Sequence, residues 1–492
     1  MNSAIAFIPL ILVALGTLPV VVSFLQFALV GFHAGRHRLD QCRDYTPRVA
    51  FIVPAWNEGP SLGATVDSLM SMSYPSDAVR VYVVDDASTD HTPELMQQKM
   101  AQYPGRVFHL RREKGGQGKS HTLNHGLDIV LAETWAQAVM IMDADVLFEP
   151  LTLRRMTRHL ANPKVGAVTA YIKEGSQPDN LVCRFIAFEY ITAQAAARRA
   201  QNVTGALACL AGGAQLHTRE NMLAIGGRID TTSLAEDTFT TFRTQLGGRL
   251  AVFDGNAVVW AEEPGSLVSL WKQRLRWARG NLQLGAAYRH LWFRSGVHPG
   301  LGSFWFGLVF FSIVLMPLLM IGSSIGLLWL DFIEPDLARK ALGGLWITTF
   351  LVHLFVTGFS FVIDPATARR TWFEGLAYPG LITLAIMILS SLPPQWVSLW
   401  PPPGSSAVTT YLWDGLRYFI FSWTSLSMLA AWGVYRLERA GGPNWLRDPL
   451  LLLVGYGPFN CAVALAAMVA EWRKAEMRWD KTPKTGKGTI LK

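Results

Sequence analysis

Hydrophobic positions follow two different patterns along the chain. Long, almost uninterrupted apolar runs lie at both ends: one leading run, Ala4–Phe32, and several trailing runs after residue 300. Between residues 49 and about 290, short apolar runs alternate with amphipathic and polar stretches. Long runs can cross a bilayer as helices, whereas short runs bounded by turn residues are typical of buried strands. The pattern predicts a helical membrane part and a globular α/β part.

The middle region predicts a mainly parallel sheet. Its strand-like runs are Val49–Val53, Val79–Val84, Val107–Leu110 and Ala138–Met142. Helix-like segments separate them, for example Leu62–Met72 and Thr92–Gln102. Strands that alternate with helices favour a parallel arrangement, in which ligands bind at the carboxyl ends of the strands. Polar clusters follow three of these strands directly, so we expect the functional site at that edge.

The trailing runs predict a membrane region, with one run that does not cross. They are Phe304–Leu330, Leu342–Ile363, Leu376–Leu392, Tyr418–Tyr435 and Leu450–Ala470. The basic tail and the basic stretch after the leading run both indicate the cytoplasmic side, which five crossings would not satisfy. We expect Leu450–Ala470 to be re-entrant or interfacial, because Gly455–Asn460 interrupts it. Leu376–Leu392, flanked by prolines, is the alternative.

These boundaries predict four parts of the chain. Residues 1–35 form an N-terminal transmembrane helix, and residues 36–290 form a cytoplasmic domain that ends in interfacial helices. Residues 291–471 form a membrane region of about four crossings plus one element that does not cross. Residues 472–492 form a basic cytoplasmic tail.

Composition and charge agree with this division. Of the 492 residues, 50% are hydrophobic and only 16% are charged, and the mean hydropathy is +0.24. The net charge of +8 collects in the predicted cytoplasmic loops and tail, so membrane topology explains it and no nucleic-acid partner is expected. The cysteines, at positions 42, 183, 209 and 461, are far apart, which argues against a zinc site or disulfide framework and fits a reducing cytoplasm.

Three carboxylate pairs are candidates for chemistry. Asp143 and Asp145 follow a predicted strand, and alternate side chains of an extended segment face the same way, so they could hold a hard divalent cation, or simply form a solvated turn. Asp85-Asp86 follows another strand and could accept hydrogen bonds from a nucleotide, or simply form a turn. Glu236-Asp237 could supply a general base, although such pairs are common at helix N-termini.

Two further segments carry basic residues. Lys114–Ser120 is rich in glycine but has Glu113 where a Walker loop needs glycine, so an NTPase is disfavoured while Lys119 could still neutralise a phosphate. Gln273-Arg-Leu-Arg-Trp277 lies just before the membrane block. It is either a basic, aromatic interfacial helix or a sugar-binding element.

Taken in order, these motifs resemble the membrane-embedded processive family 2 glycosyltransferases, which include synthases of cellulose, chitin, hyaluronan and poly-N-acetylglucosamine. The resemblance rests on Pro54-Ala-Trp-Asn-Glu58, Asp85-Asp86, Asp143-Ala-Asp145, Glu236-Asp237 and Gln273–Trp277. It covers residues 49–290 and implies a GT-A fold, with a mixed, mainly parallel sheet flanked by helices. The tail Arg478–Thr482 also resembles a stretch that closes some bacterial synthases of this kind.

The resemblance implies a nucleotide-sugar site. The expected uridine contacts are Pro54, Asn57, Glu58 and Asp86, with Asp85 supporting that pocket. Lys119 would approach the phosphates, and Asp143 and Asp145 would frame the diphosphate with Mg²⁺ or Mn²⁺ as cofactor, Asp145 being the closer metal ligand.

The resemblance also implies the catalytic groups. Asp237, with Glu236 beside it, would be the base that deprotonates the acceptor hydroxyl. Gln273, Arg276 and Trp277 would close over the pyrophosphate and the acceptor sugar.

The expected activity is transfer of a hexose from a UDP-sugar to a growing β-linked polysaccharide, with inversion. The donor is UDP-N-acetylglucosamine or UDP-glucose, and the enzyme would lie in a bacterial inner membrane among lipids, with accessory export proteins as possible partners. Two alternatives stay open: a non-processive enzyme acting on a lipid-linked or small acceptor, and a transporter with a regulatory nucleotide-binding domain.

Overall fold

The structure is a computed structural model that describes residues 2–36, 43–392, 404–477 and 485–490. It divides into two compact units. The globular unit comprises the described residues of Ala28–Ser269, Gln283–Phe306 and Met477–Lys492. The helical unit comprises the described residues of Met1–Phe27, Leu270–Leu282 and Gly307–Glu476.

The globular unit contains one mixed sheet. Among the described residues its strands are β1 (Val49–Ala55), β2 (Val79–Asp85), β3 (Val107–Arg111), β4 (Ala138–Ile141), β5 (Val146–Phe148), β6 (Val165–Glu174), β7 (Gln215–Thr218) and β8 (Leu250–Ala261). Their order in space is β3-β2-β1-β4-β7-β6-β8-β5. Strands β3, β2, β1 and β4 are parallel, β7 is antiparallel to both its neighbours, and β8 runs parallel to β6. The predicted mixed, mainly parallel sheet is confirmed.

Helices cover the two faces of this sheet. In the globular region they are α2 (Gly59–Met70), α3 (Thr92–Gln102), α4 (Lys119–Ala132), α5 (Thr152–His159), α6 (Leu181–Glu189), α7 (Ala197–Thr204), α8 (Arg219–Ala224) and α9 (Glu236–Leu246). A π-helical turn, Tyr190–Ala196, joins α6 to α7. The apolar side chains of β1, β2 and β4 are buried against α4, whose Leu123 and Leu127 belong to the same core cluster. This buried parallel half explains why its strands read as apolar runs.

The predicted strands agree with the observed ones to within two residues at each end. The helix expected over Leu62–Met72 begins three residues earlier, at Gly59, because Pro60 favours the first turn. Strands β5 to β8 were not predicted individually, since they are short or interrupted by a register shift.

The remaining helices are α1 (Asn2–Arg36), α10 (Leu267–Ala287), α11 (Phe304–Val314), α12 (Met316–Ile333), α13 (Pro335–Ile363), α14 (Pro365–Arg370), α15 (Trp372–Leu376), α16 (Leu381–Ser391), α17 (Ala407–Arg439), α18 (Asn444–Val454) and α19 (Tyr456–Trp472). Within the described part of the chain, three helices are long and apolar enough to cross a membrane: α1, α12 and α13. Helices α18 and α19 would provide a fourth if the bent pair forms one span.

Two apolar runs differ from simple spans. The run Phe304–Leu330, expected to be continuous, is divided at Leu315 into α11 and α12, because Pro317 cannot donate the backbone hydrogen bond that would continue the helix. The run Leu450–Ala470 breaks at Gly455, where α18 and α19 meet at 91°. The break lies where the glycine- and proline-rich segment predicted it, and the failure of this run to cross stays a prediction.

The helical unit has its own apolar core and a buried ion-pair cluster. The core includes Leu327, Trp346 and Phe421 from three different helices. Arg417 on α17 pairs with Asp331 on α12 at 3.1 Å and with Asp414 at 2.8 Å. These charged groups stabilise one another inside the helical unit, as expected for ionisable residues among apolar helices.

Candidate active site

The loops after β1 and β2 are joined through Asn57. Its Oδ1 accepts hydrogen bonds from the backbone N–H groups of Thr89 at 2.8 Å and Asp90 at 3.3 Å, and its own N–H donates to Ser88 Oγ at 2.9 Å. Asn57 has a φ of 54°, in the left-handed region that asparagine tolerates better than most residues. The predicted nucleotide-binding loop Pro54–Glu58 is therefore held to the loop after β2 by backbone and side-chain bonds.

Pro54 and Glu58 lie at the two ends of this loop. Pro54 pairs with Val84 of β2 on one side, and lies beyond the last residue of β4 on the other, so it breaks no ladder on that side. Glu58 precedes α2, where its Oε2 accepts a hydrogen bond from Ser61 Oγ at 3.2 Å. Both residues thus occupy the predicted edge of the sheet.

Asp85 and Asp86 have different environments. The Asp85 side chain is fully buried and accepts hydrogen bonds from Ser88 N at 2.8 Å, with His109 Nε2 3.2 Å away and Arg111 3.6 Å away. Burial alone would raise the pKa of Asp85, but His109, Ser88 and Arg111 outweigh it and hold that pKa below its ordinary value. Asp85 is therefore a buried anion held by these contacts at the sheet edge, and its support of a nucleotide pocket stays a prediction.

The glycine-rich loop binds the second aspartate. Asp86 is ion-paired with Arg112, and its Oδ2 accepts a hydrogen bond from the N–H of Gly116 at 2.8 Å. Gly115 lies against the main chain here, since a Cβ at this position would be 2.1 Å from the carbonyl oxygen of Asp86. The loop has a glycine at this position because its backbone approaches the strand end so closely. Arg112 was missed by sequence reasoning, although it is the second residue after the predicted strand Val107–Leu110 and directly follows the observed β3.

Lys119 brings two predicted motifs together. It is the first residue of α4, and its Nζ lies 2.5 Å from Asp143 Oδ1 and 3.6 Å from Glu236 Oε1. A Cβ on Gly212 would be 3.2 Å from the same Nζ and 3.6 Å from Asp237 Oδ2. Residues that are far apart in sequence therefore surround one small volume at the edge of the sheet.

The carboxylates near Lys119 keep it protonated, and the N-terminus of α9 favours the negative charge of two of them. Burial disfavours the charged form of Lys119, but Asp143, Glu236 and Asp237 together raise its pKa above the ordinary value, so it stays protonated. Glu236 and Asp237 occupy the first turn of α9, where the helix dipole favours negative charge. The N–H of Thr238 donates to Asp237 Oδ1 at 2.7 Å, which fixes one carboxylate oxygen and orients the other.

A second cation lies near Asp237. Arg198 on α7 is buried, and its Nη1 donates to Gln194 Oε1 at 3.0 Å. Burial lowers the pKa of Arg198, while Cys209 and Asp237 oppose that shift. Burial and the charge of Asp237 raise the pKa of the Cys209 thiol. Sequence reasoning missed both residues, and the only available signal was an Arg-Arg pair in an otherwise apolar segment.

Asp143 and Asp145 can provide two oxygen ligands of a divalent cation, with the remaining ligands coming from a bound substrate. Thr65 Oγ1 donates to the carbonyl of Ala144 at 2.8 Å, which fixes the backbone between the two aspartates. Among the described residues no three His, Cys, Asp or Glu side chains converge closely enough to hold a metal ion by themselves. Mg²⁺ and Mn²⁺ favour oxygen ligands, and Mg²⁺ is commonly held by one or two carboxylates together with substrate phosphates.

The remaining predicted residues lie on α10. Gln273, Arg276 and Trp277 follow helical spacing, which places them on one side of the helix, and Arg274 stacks over the Trp277 ring at 4.1 Å. They belong to the helical unit, where Trp271 of the same helix stacks on Tyr435 at 4.2 Å. Their predicted closure over donor and acceptor stays a prediction.

The described end of the tail contacts the edge of the sheet. The N–H groups of Thr485 and Gly486 donate to the Glu262 carboxylate at 2.6 and 3.1 Å, and that of Thr489 donates to the carbonyl of Gly175 at 2.9 Å. The tail segment Arg478–Thr482, used for the resemblance, lies outside the described residues.

Comparisons with known proteins identify this architecture. A mannosyltransferase from Pyrobaculum calidifontis, solved in complex with GDP-Man and Mn²⁺, aligns with a TM-score of 0.54 and 21% identity, covering 80% of this chain and 99% of that one. The fold is therefore that of the GT-A glycosyltransferases.

Sequence comparison narrows the class of glycosyltransferase. The family model "Glycosyltransferase like family 2" matches residues 47–280, so this part of the chain is a family 2 glycosyltransferase domain. Beta-monoglucosyldiacylglycerol synthase of Synechocystis is 34% identical over 238 residues, 48% of each chain. Poly-beta-1,6-N-acetyl-D-glucosamine synthase of Staphylococcus epidermidis is 25% identical over 233 residues, 47% of this chain and 54% of that one. The chain thus spans about half the length of these curated relatives.

Proposed function

We propose that the chain is an inverting, processive hexosyltransferase of the membrane. It transfers sugar from UDP-N-acetylglucosamine or UDP-glucose to a growing β-linked polysaccharide and helps that polymer across the inner membrane. The observation that carries this proposal is the convergence of Lys119, Asp143, Glu236 and Asp237 at the carboxyl edge of the parallel strands. A cation, a metal-binding carboxylate and a positioned base are the groups that sugar transfer from a diphosphate requires.

In the proposed mechanism Asp237 acts on the acceptor. Its oriented carboxylate takes the proton of the acceptor hydroxyl while that oxygen attacks C1 of the donor sugar. The bond between C1 and the diphosphate oxygen breaks, and the diphosphate leaves with the electron pair. A single displacement inverts the configuration at C1, so an α-linked donor gives a β-linkage. Glu236 contributes by holding Lys119 in place.

The donor side of the mechanism depends on positive charge. Lys119 stabilises the negative charge that develops on the leaving diphosphate, and Arg276 is proposed to do the same from α10. Asp143 and Asp145 would hold Mg²⁺ or Mn²⁺, which supplies Lewis-acid stabilisation of that charge. The loop of Asn57, Asp86 and Gly116 would bind the nucleoside, since it is held rigid by its own hydrogen bonds.

The helical unit is proposed to anchor the enzyme and line the export path. Three described helices are long and apolar enough to cross a bilayer. We propose the membrane topology predicted from the sequence, in which residues 36–290 and the basic tail lie on the cytoplasmic side. Accessory export proteins are the proposed partners. Reporter fusions after residues 36 and 492 test this topology, because both fusions should report the cytoplasm.

A second candidate function is transfer of a single sugar to a lipid. It is favoured by the similarity to a relative whose name describes a glucosyl lipid synthase. The two functions differ in product: a polymer stays in the aqueous phase and is cut by linkage-specific hydrolases, whereas a glycolipid is extracted into organic solvent.

The experiment that tests the proposal is sugar transfer in membrane vesicles. Vesicles that contain the full chain are incubated with each radiolabelled nucleotide sugar and Mg²⁺ or Mn²⁺, and the product is assigned by extraction and hydrolase digestion. The Asp237→Asn variant should lose about 10²-fold or more of the activity, because it removes the base. Asp128→Asn, which alters an exposed surface ion pair with Arg228, is the matched control. Transfer by Asp237→Asn at the wild-type rate would disprove the assignment of the base.

A further inference from the structure

Lys119 forms an ion pair with Asp143, whose carboxylate the proposed metal ion would also need as a ligand. Its Nζ lies 2.5 Å from Asp143 Oδ1 and within 3.6 Å of Glu236. Only 13% of the lysine side chain is exposed, whereas 39% of the Asp143 side chain is exposed. The lysine side chain is thus largely enclosed, whereas part of the Asp143 side chain is accessible to solvent.

An ammonium group and a divalent cation compete for the same carboxylate. Two positive groups next to Asp143 repel each other strongly in a partly buried site, where screening by water is weak. Lys119 cannot leave easily, because it begins helix α4 and is also attracted by Glu236 and Asp237. A divalent cation that arrives alone therefore meets an Asp143 carboxylate whose charge Lys119 already neutralises.

A nucleoside diphosphate changes this balance. It brings negative oxygens that provide a new partner for Lys119, and the same oxygens complete the coordination of a hard cation. The three carboxylates Asp143, Glu236 and Asp237 outnumber the two cations near them, Lys119 and Arg198, so a diphosphate without a divalent cation would be repelled. Each component thus needs the other to enter the site.

We propose that Lys119 is a positioning residue that holds Asp143 until the nucleotide arrives, so that the divalent cation binds together with the donor and not before it. This inference rests on the proposed function, since it assumes that the cluster is the donor site. It adds an order of binding: when the nucleotide binds, Lys119 loses its contact with Asp143 and forms one with the diphosphate.

Mn²⁺ binding to the purified full chain tests this order. Binding is followed by electron paramagnetic resonance of free Mn²⁺, with no nucleotide and then with UDP or GDP. For the wild-type protein, Mn²⁺ affinity should rise at least about tenfold when the nucleotide is present. The Lys119→Met variant should bind Mn²⁺ without nucleotide at least about tenfold more tightly than wild type, because the competing charge is gone. Lys164→Met, an exposed lysine outside the glycine-rich loop, is the control and should behave as wild type.

The outcomes separate this inference from the proposed function. Tight Mn²⁺ binding by the wild type without nucleotide, or no gain in Lys119→Met, would overturn the order of binding even if Asp237→Asn abolishes transfer. If Lys119→Met does not fold, the wild-type comparison with and without nucleotide still decides. Asp145→Asn should lose the nucleotide-dependent binding, and its retention would mean that Mn²⁺ binds elsewhere and that the inference is wrong.

Discussion

Replacing Gly115 by alanine tests how the nucleotide loop is held. A Cβ at this position would lie 2.1 Å from the carbonyl oxygen of Asp86 and 3.1 Å from the Ala87 side chain. Carbon and oxygen atoms approach to roughly 3.3 Å in the closest favourable contacts. The loop must therefore move by about 1.2 Å, because the obstacle is main chain at the end of a buried strand and cannot give way.

The size of the effect follows from the bond that this movement breaks. The N–H of Gly116 donates to Asp86 Oδ2 at 2.8 Å, and a hydrogen bond to a charged group contributes about 1.5–3 kcal/mol. Because about 1.4 kcal/mol corresponds to a factor of ten, nucleotide affinity should fall by about 10- to 150-fold. Asp86 keeps its ion pair with Arg112, so the fold should survive the substitution.

Titration calorimetry with UDP and Mg²⁺ on the detergent-purified full chain measures this loss, and initial rates give KM. We expect a higher KM with a much smaller change in kcat, since the Lys119 cluster is not altered. Gly105→Ala is the control: Gly105 lies in a turn at the opposite edge of the sheet with no atom within 4 Å of the added Cβ, so the strain of its positive φ should lower stability without changing UDP affinity. Wild-type UDP affinity in Gly115→Ala would refute the anchoring of this loop on Asp86.

Two further predictions concern stability. Gly126→Ala would put a Cβ 2.7 Å from Ile52 Cγ2 in the buried core, so the thermal midpoint should fall by an amount equivalent to about 1–2 kcal/mol after the gain in helix propensity is subtracted. Gly63→Ala, whose Cβ finds ordinary contacts at 3.4 Å, should instead be neutral or stabilising, and equal effects of the two would contradict this reasoning. The low pKa of Asp85 in the folded protein adds stability at pH values above the unfolded pKa near 4, and that stability is lost as the pH falls through the lower folded pKa. The difference in thermal midpoint between wild type and Asp85→Asn should therefore shrink below about pH 4. A gap that stays constant on acidification would disprove this assignment, and exposed Asp77→Asn should show no gap at any pH.

The parallel half of the sheet could be predicted because its strands are buried on both faces. Strands of that kind read as apolar runs, and their polar ends mark the ligand edge. Pro54, Asp86 and Asp143 were located in this way, and the structure brings all three to the same edge. The GT-A fold followed from the resemblance, which the comparisons support.

The contacts within the site could not be predicted from the sequence. The partners of Lys119 and Asp86 depend on side chains from different loops, and spacing along the chain does not report their distance. Arg112 and Arg198 carry no motif, so the ion pair of Arg112 with Asp86 and the proximity of Arg198 to Asp237 became visible only in three dimensions. In the helical unit, hydrophobicity marked the run Phe304–Leu330 but not the division before Pro317, since a local backbone constraint rather than composition sets it.

Antiparallel strand β7 explains how Gly212 reaches the edge of the sheet where Lys119 and Asp237 lie. Ile141, the last residue of β4, pairs with Gln215, the first residue of β7. This register places the segment just before β7 beside the segment just after β4, so Gly212 lies next to the Asp143 loop. A side chain at position 212 would fill the space between Lys119 Nζ and Asp237 Oδ2. The reversal of strand direction thus places a residue without a side chain next to Lys119 and the proposed base Asp237, where the proposed mechanism needs space for the acceptor hydroxyl.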